Sequence, residues 1–504
     1  MIDRVGEGEE ELVRTLKVWV WGIILISGIT HAAVDNTLIA EYRLDECSYD
    51  GGQPYDVIDN SLNRLHGLTV NGVTKTATSN KLCTGASFNG TDQYIEVADN
   101  AKLNISGDMS VSFWIYPTRG VQQDEYYVAK YDGMDGWRIW FNHRNNNPDR
   151  LQFNLKLDTK NRRVSIRKSN IVNWFNNWHF ITAVYDGSNG MSIYLKDNVG
   201  NDLSNSNSRI GNVQVSTTSL VMAIRQDKNN RYFQGSIDEV KIWSRALSAQ
   251  EITDIYNNES AGRNWDNTDG TTTRVCRTCQ CTAKAGSNMI SFASDFRNMS
   301  DTSIAAVISG DLAANYTYGT SPADWQMAGR TYDISVDNNA FYDVLADTTR
   351  TLGFGQGYWL VNRTQNDIVY TANTRPVDFN ATIANYPSCQ SANGKCVLVD
   401  LVEPNGTNNN GPYIYTLTSL PVSVPIRWEK IRVLIDGTSY PVDSAPARTL
   451  NSTIWRYDQN GNSYTNVTPN TPGTVQTIDP CYGYWVELAE QAAGKDVKLL
   501  IPEE

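Results

Sequence analysis

The chain has 504 residues, a length that about three domains of average size would fill. Its 43 Lys and Arg residues face 55 Asp and Glu residues, so the formal net charge is −12. The sequence has no basic run of five or more residues, and this argues against nucleic acid as a partner, because clustered positive charge is what binds a phosphate backbone. His occurs only at positions 31, 66, 143 and 179. A Ser/His/Asp or Cys/His catalytic site therefore cannot lie wholly after His179.

Residues 1–32 have the pattern of a signal peptide. An apolar run over residues 18–29 follows Arg14 and Lys17, and small residues surround a cleavage point after Ala32. The run is shorter than the ~20 residues that a membrane-spanning helix needs, so an uncleaved membrane anchor is only the alternative. We expect export, a secreted or cell-surface location, and no transmembrane segment in the mature chain.

Eight Cys residues in an exported chain predict disulfides. The spacing predicts Cys47–Cys83 and Cys389–Cys396, each inside one domain. The other four Cys residues can pair in several ways, which the sequence leaves open: Cys276, Cys279, Cys281 and Cys481. The three clustered ones could instead form half of a zinc site, but no second Cys/His pair follows at zinc-finger spacing.

Short strand-like segments fill the region from about residue 37 to residue 247. Residues 109–116 and 151–158 alternate apolar and polar side chains, and residues 179–185 and 191–195 are separated by Asp-Gly and Asn-Gly turn signals. Many strands of similar length joined by hairpin turns predict an all-β, two-sheet antiparallel sandwich.

One helix is predicted at the end of this domain. Ser248 and Glu251 form a capping box, and Ile252, Ile255 and Tyr256 follow at helical spacing.

The rest of the chain divides into three parts. Residues 261–286 are polar and form a Cys-containing linker, and residues 287–385 and 386–504 are two smaller mainly-β modules. Gly-Tyr-Trp recurs near the end of each module, at residues 357–359 and 483–485. We interpret it as a buried core strand and not as a platform for sugars.

The domain at residues 33–260 resembles the LamG-like family of concanavalin A-type jelly rolls. The resemblance rests on four segments, of which the last is the most specific: LIAEYRLDE at 38–46, VIDNS with His66-Gly67 at 57–67, ASFNGTDQYI at 86–95 and FQGSIDEVKIWSRALS at 233–248. The Leu-Asp-Glu-Cys after the first strand is similar to LamG domains of bacterial surface proteins and of proteins associated with the mannose-sensitive haemagglutinin pilus.

The resemblance implies a jelly-roll fold and a structural Ca²⁺ that joins the first and last strands. Asp238 is the best candidate ligand, with Asp45 as a helper, because carboxylates and carbonyls suit Ca²⁺. The alternative is that Asp238 only accepts hydrogen bonds from the backbone.

Glucanases on this fold use a Glu-x-Asp-x-x-Glu strand, whose acids share one face of the sheet. This pattern is absent from the sequence, as are His-Glu-x-x-His and Gly-x-Ser-x-Gly. We therefore expect a protein that is not an enzyme.

Alternation within the strands predicts a binding face. If Val111, Phe113 and Ile115 face the core, the intervening side chains point outward, and the same holds for the two strands near residues 140 and 154. The predicted ligand-binding residues are Trp114, Tyr116, Arg138, Trp140, Asn142 and Asn154. Aromatic rings stack on sugars while amides bind hydroxyl groups. The alternative is that a loop or a later module covers these rings.

Together these features predict an adhesin-like binding protein whose LamG-like domain binds extracellular carbohydrate or a surface glycoprotein. The second hypothesis is a structural component of a pilus or envelope assembly that binds protein. The third is a glycoside hydrolase with an unrecognised site, which would need two acids about 5 to 10 Å apart.

Overall fold

The structure, a computed structural model, describes residues 35–502 with internal gaps. The gaps are residues 48, 50–54, 77–80, 119–123, 145–146, 229, 268–272, 275, 277–279, 291–302, 304–317, 319–322, 324, 331–341, 345–351, 353–357, 371–395, 402–412, 421–424, 446–448, 459–462, 470, 472–474 and 490–494. The predicted signal peptide lies outside the described residues.

Alternating apolar residues in the first half of the chain form fifteen described β-strands. They are β1 (Leu38–Tyr42), β2 (Gly67–Val70), β3 (Thr74–Lys75), β4 (Ala86–Asn89), β5 (Tyr94–Val97), β6 (Met109–Pro117), β7 (Glu125–Tyr131), β8 (Gly136–Arg144), β9 (Asn147–Leu157), β10 (Lys160–Arg167), β11 (His179–Asp186), β12 (Gly190–Lys196), β13 (Asp202–Asn207), β14 (Leu220–Met222) and β15 (Gln234–Trp243). Short 3-10 helices occupy Ala101–Leu103 and Lys168–Asn170.

These strands form two antiparallel sheets. Sheet 1 has the order β13-β12-β11-β6-β15-β4-β3, with β1 also paired to β15. Sheet 2 has the order β10-β9-β8-β7-β14-β5-β2. The prediction of an all-β two-sheet sandwich is confirmed.

The core lies between the two sheets and uses alternate residues of each strand. Val111 and Phe113 of sheet 1 and Ile139 and Phe141 of sheet 2 are all fully buried in one cluster. The ring centroids of Phe113 and Tyr127 lie 6.3 Å apart across the sandwich. Burying this apolar area is the main driving force for bringing the two sheets together.

The turn between β11 and β12 shows how local sequence sets strand pairing. The Asp186 side chain accepts hydrogen bonds from the backbone N–H groups of Ser188 at 2.8 Å and Asn189 at 3.1 Å. Gly190 has a φ of 104°, and a side chain there would overlap the backbone carbonyl of Asn207. Glycine is required at this position because β13 lies so close.

Helix α1 spans Ala249–Ser260 and starts at the predicted capping box. The Ser248 hydroxyl accepts from the Glu251 N–H at 3.2 Å, and the Ser248 N–H donates to the Glu251 carboxylate at 2.8 Å. Ile252 and Ile255 are buried against the outer side of sheet 1. This helix therefore covers part of that sheet.

The second half of the chain contains two further apolar clusters. The described strands of the first are β16 (Cys281–Ala283), β17 (Gly286–Ile290), β18 (Trp325–Arg330), β19 (Tyr342–Val344), β20 (Tyr358–Asn362) and β21 (Ile368–Tyr370). Those of the second are β22 (Cys396–Asp400), β23 (Tyr413–Ser419), β24 (Ile426–Arg427), β25 (Arg432–Ile435), β26 (Thr438–Pro441), β27 (Ile454–Asp458), β28 (Ser463–Val467), β29 (Thr477–Ile478), β30 (Gly483–Ala489) and β31 (Val497–Pro502), with a 3-10 helix at Trp428–Lys430. Strand β16 lies inside the segment that the sequence predicts as a linker.

The repeated Gly-Tyr-Trp segments lie on corresponding strands. β20 lies between β17 and β18, and β30 lies between β23 and β27. Tyr358 and Tyr484 are buried, as the interpretation of a core strand requires, while Trp359 and Trp485 are only half-buried.

The disulfide prediction for Cys83 is wrong. Cys83 is bonded to Cys276, and Cys281 is bonded to Cys481. The prediction relied on short sequence separation, whereas the linker returns to the jelly roll and brings Cys276 next to Cys83. Cys47 is disulfide-bonded as well.

Cys396 is also disulfide-bonded, and Cys389 lies outside the described residues, so the predicted pairing of Cys389 with Cys396 stays a prediction. Because Cys276 and Cys281 both form disulfides, the zinc alternative for this cluster is disfavoured.

Within the described residues, no helix is long and apolar enough to cross a membrane.

Candidate functional site

The predicted binding residues do not share one face. Trp114 and Tyr116 lie on β6 of sheet 1, whereas Arg138, Trp140 and the two asparagines lie on β8 and β9 of sheet 2. The chain crosses from one sheet to the other between β6 and β7, so their outward side chains point to opposite sides of the sandwich. The prediction of a single face was wrong because it treated strands close in sequence as neighbours in a sheet.

The outer side of sheet 1 is closed around Trp114, which is 1% exposed. Its indole N–H donates to Glu259 at 2.6 Å, and its ring stacks on Tyr256 of α1 at 5.6 Å. The ammonium of Lys81 lies 4.1 Å from the ring centroid. Trp114 is therefore covered and not open to a ligand, as the alternative hypothesis for the predicted binding rings stated. Tyr116 on the same strand is half-buried against Trp178.

Buried charges fill the space between sheet 1 and helix α1. Lys241 of β15 donates to Glu239 and to Glu259, each at 2.6 Å, and all three side chains are buried. Glu239 lies in a bulge of β15 with a φ of 54°, which changes the direction of its side chain. Burial raises the pKa of Glu259 to about 7, while the ammonium of Lys241 opposes that shift.

Arg274 of the linker extends this set of charges. Its guanidinium pairs with Asp45 at 2.8 Å and with Glu239. Burial alone would raise the pKa of Glu239, but Arg274 and Lys241 hold it below its usual range. The linker is therefore bound to the jelly roll by ion pairs as well as by a disulfide.

The two predicted calcium ligands lie at this place. Asp45 is paired with Arg274, and Asp238 accepts a hydrogen bond from the Leu82 N–H at 3.1 Å. Burial, and then the charges of Glu239 and Asp45, raise the pKa of Asp238 well above its usual range. Among the described residues no group of three or more His, Cys, Asp or Glu side chains is placed to hold a metal ion.

Calcium binding at Asp238 therefore stays a prediction. Its test is a chelator: a lower melting temperature after chelation supports a structural ion, and an unchanged one counts against it.

The outer side of sheet 2 carries an aromatic cluster, which we call the aromatic face. It is formed by Tyr126, Tyr131, Arg138, Trp140, Gln152 and Asn154. Strand register pairs Trp140 with Tyr126 on one side and with Gln152 on the other. The rings of Trp140 and Tyr126 stack at 5.2 Å with an angle of 26°. Trp140 is only 6% exposed, so the expectation of an open indole is wrong.

Arg138 lies over three rings of the aromatic face. Its guanidinium carbon is 4.4 Å from the ring centroid of Tyr131, 4.9 Å from that of Trp140 and 5.7 Å from that of Tyr126. One of its Nη atoms donates to the Tyr126 hydroxyl at 3.3 Å. The side chain is half-buried, which leaves part of this cation accessible.

Amide side chains lie beside the rings. The Trp140 N–H donates to the Asn154 carbonyl at 3.2 Å, and the Asn142 amide donates to Asp124 at 3.1 Å. Gln152 is 3% exposed, yet its Oε1 has no hydrogen-bond partner among the described residues. Buried polar atoms are nearly always satisfied, so this oxygen marks a place for a donor from water or ligand.

A loop over residues 223–233 forms one border of the aromatic face. Arg231 pairs with Asp124 at 2.5 Å, and Tyr232 joins the same apolar cluster as Trp140. Tyr94 of β5 contributes to this cluster, and both tyrosines are half-buried. Every described member of the cluster comes from residues 94–232.

The sequence analysis makes no prediction for Tyr126, and a bulge in β7 makes its side of the sheet hard to predict. Register in β7 shifts between Tyr126 and Val128, so Tyr127 and Val128 both face the core. Strict alternation along β7 would therefore place the residues on one side of this bulge on the wrong face of sheet 2. The Glu-Tyr-Tyr sequence before an apolar strand was the available signal.

The two histidines near the sandwich play different roles. His179 is buried, with Nδ1 at 2.7 Å from Asp197 and Nε2 at 2.9 Å from the Trp174 carbonyl. Both partners accept hydrogen bonds, so the ring is saturated and cannot reach a substrate. His143 is half-buried and lies 3.0 Å from Asp149.

The fold thus defines a jelly-roll domain in which helix α1 covers part of sheet 1, while sheet 2 carries a cluster of buried rings and amides beneath the half-buried Arg138. Residues 89–253 match the family described as the Concanavalin A-like lectin/glucanases superfamily. The match confirms the resemblance of these residues to the LamG-like family of concanavalin A-type jelly rolls. No curated protein matches the sequence.

Solved structures give distant similarities. Domain 4 of AbnA, a GH43 extracellular arabinanase from Geobacillus stearothermophilus in complex with arabinotriose, is 18% identical over 43% of this chain and 97% of that chain, with a TM-score of 0.33. The botulinum neurotoxin serotype G binding domain is 13% identical over 93% of this chain and 98% of that chain, with a TM-score of 0.33. Tailspike protein 2 of bacteriophage CBA120 is 10% identical over 40% of this chain and 31% of that chain, with a TM-score of 0.32. Identities and TM-scores this low carry no information on function.

Proposed function

We propose that the jelly-roll domain binds carbohydrate on the aromatic face and that the protein acts by binding, not by catalysis. The observation that carries this proposal is the arrangement around Trp140, where stacked rings, Arg138 and the unsatisfied Gln152 lie on adjacent strands. Sugars present apolar faces to rings and hydroxyl groups to amides, and the half-buried rings of Tyr94 and Tyr232 lie at the border of this cluster.

The superfamily supports the same proposal, because its description names lectins. It names glucanases as well. Glycoside hydrolysis needs a pair of carboxyl groups across the bound sugar. The described outward positions on β7, β8, β9 and β10 hold no carboxylate, and Asp124 beside the aromatic face already accepts hydrogen bonds from Asn142 and Arg231. Binding is therefore the function that the aromatic face supports better.

We further propose an extracellular, adhesin-like role in which the sugar belongs to a surface glycan. The disulfides Cys83–Cys276 and Cys281–Cys481 support this location, because such bonds persist in oxidising compartments. The first holds the linker to the jelly roll, and the second joins the two later modules. Such crosslinks suit a protein that presents a binding domain outside the cell.

The test is a glycan array probed with the full chain and with a Trp140→Ala variant. We expect the wild type to bind a subset of glycans and the variant to lose that binding. A Tyr232→Ala variant removes a half-buried ring at the border and should weaken the same subset. Trp178→Ala removes a half-buried tryptophan that precedes β11 and packs against the cluster of Trp114, and it serves as the matched control.

Melting temperatures show whether each variant is folded. An array without any bound glycan for the wild type contradicts the proposal. Unchanged binding by folded Trp140→Ala and Tyr232→Ala variants contradicts the assignment to the aromatic face.

A further inference from the structure

The outward side of strands β8, β9 and β10 is basic, although the protein as a whole has a net charge of −12. Its described cations are Arg138, Arg150, Lys156, Arg163 and Arg167. Only Lys156 has a described carboxylate partner, Asp135 at 4.0 Å. Positive charge is thus concentrated on the side that carries the aromatic face.

Two of these arginines face each other directly. Arg150 of β9 and Arg167 of β10 are cross-strand partners, and Arg150 donates a long hydrogen bond of 3.5 Å to Ser165. Like charges directly opposite on antiparallel strands repel each other. Among the described residues neither has an ion-pair partner, so nothing there offsets the repulsion.

Arg138 also lacks a described ion pair. The three rings beneath it fix its plane, and its Nε has no hydrogen-bond partner within the part of the chain that the structure describes. In the register, Arg138 lies beside Asn154, which in turn lies beside Arg163. A row of cation, amide and cation therefore crosses three strands.

We propose that the carbohydrate bound on the aromatic face carries a carboxylate group, as in a uronic or sialic acid, and that Arg138 recognises it. This inference rests on the proposed glycan-binding function. A guanidinium presents two parallel N–H groups that match the two oxygens of a carboxylate. The neighbouring arginines attract the anion, and the Gln152 carbonyl accepts a hydrogen bond from a sugar hydroxyl.

Other charges around the face do not take this role. Arg231 and Lys228 are already paired with Asp124 and Glu96, each at 2.5 Å. Arg225 is paired with Asp227. Arg138 thus combines an accessible position, a fixed plane and no competing carboxylate among the described residues.

The experiment compares two matched pairs of probes on the full chain: oligogalacturonate against its methyl ester, and sialyllactose against lactose. We expect an acidic member to bind at least about tenfold more tightly than its neutral partner. Arg138→Gln should abolish that preference. Arg138→Lys should keep only part of it, because an ammonium group cannot offer two parallel N–H groups to the two oxygens of a carboxylate. Arg150→Gln should weaken binding of the acidic probe and reduce the dependence of that binding on salt concentration, because it removes one of the charges that salt screens.

The matched control is Arg427→Gln, which removes the same charge from an exposed arginine of the second module. It should leave both affinities unchanged, and a melting curve confirms that each variant is folded. Equal binding of the acidic and neutral members, or a preference that survives in folded Arg138→Gln, overturns this inference. Preference for sulfated heparin oligosaccharides over both carboxylated probes overturns the choice of a carboxylate.

If the proposed glycan-binding function itself is wrong, the experiments give a different result. In that case the wild type binds neither member of either pair, and the glycan array is also blank. If neutral glycans bind at the aromatic face without any acidic preference, the proposed function stands and only this inference falls.

Discussion

The indole N–H of Trp114 donates to the carboxylate of Glu259 at 2.6 Å, which ties strand β6 of sheet 1 to the last turn of helix α1. Lys241 donates to the other oxygen of the same carboxylate. One carboxylate thus satisfies two buried donors from two strands. This contact explains why helix α1 covers the outer side of sheet 1 around Trp114.

We predict that Glu259→Ala lowers the free energy of unfolding by about 3 to 5 kcal/mol, because Lys241 and the Trp114 N–H lose a buried partner. Urea denaturation measures the change. Asp254→Ala, on the exposed side of α1, is the control and should cost no more than about 1 kcal/mol. A loss for Glu259→Ala as small as that of the control would contradict the described network.

We predict that the disulfide between Cys83 and Cys276 contributes about 2 to 4 kcal/mol to stability, because it crosslinks positions that are 193 residues apart. The measurement is denaturation of Cys83→Ser/Cys276→Ser against the wild type. Mass spectrometry of the non-reduced protein gives a direct check, with a crosslinked peptide pair that contains both cysteines. A crosslink between Cys47 and Cys83 would refute this pairing.

We predict that the carboxyl group of Asp197 makes the stability of the protein depend on pH. Burial alone would raise the pKa of Asp197, but hydrogen bonds from His179 and Asn201 hold it below its usual value. A depressed folded-state pKa stabilises the protein above the unfolded value of about 4, and this contribution is lost as the pH falls through the folded value. The stability gap between wild type and Asp197→Asn should therefore shrink below about pH 4.

Denaturation curves from pH 3 to pH 7 measure that gap. Asp186→Asn is not a suitable control, because the pKa of Asp186 is also lowered, by its contacts with Asn189 and Ser188. Asp254→Asn on the exposed side of α1 is the better one. A gap for Asp197→Asn that stays constant across this range would contradict the assigned role.

The sequence predicts much of the sandwich because local rules govern it. Alternation places Phe113 in the core, and the capping box at Ser248 starts helix α1 where expected. The turn before Gly190 also follows from residues close in sequence. Each of these features depends on interactions within a few residues, which a pattern can capture.

Long-range pairing limits what a pattern can predict about the candidate site. Trp114 and Trp140 look alike as outward residues, but they lie on different sheets and both are buried. Tyr256 of helix α1, which is distant in sequence, covers Trp114. Tyr126, beside the bulge of β7, stacks on Trp140. Cys83 pairs with a cysteine of the linker for the same reason. Arg138 was predicted correctly as outward, yet the rings around it depend on the shifted register at Tyr126.

The most direct test of carbohydrate binding on the aromatic face is a crystal structure of the full chain with a glycan identified on the array. We expect a sugar on the outer side of sheet 2, in contact with Arg138 and hydrogen-bonded to Gln152. A sugar bound on sheet 1, or on the modules after residue 281, would contradict it.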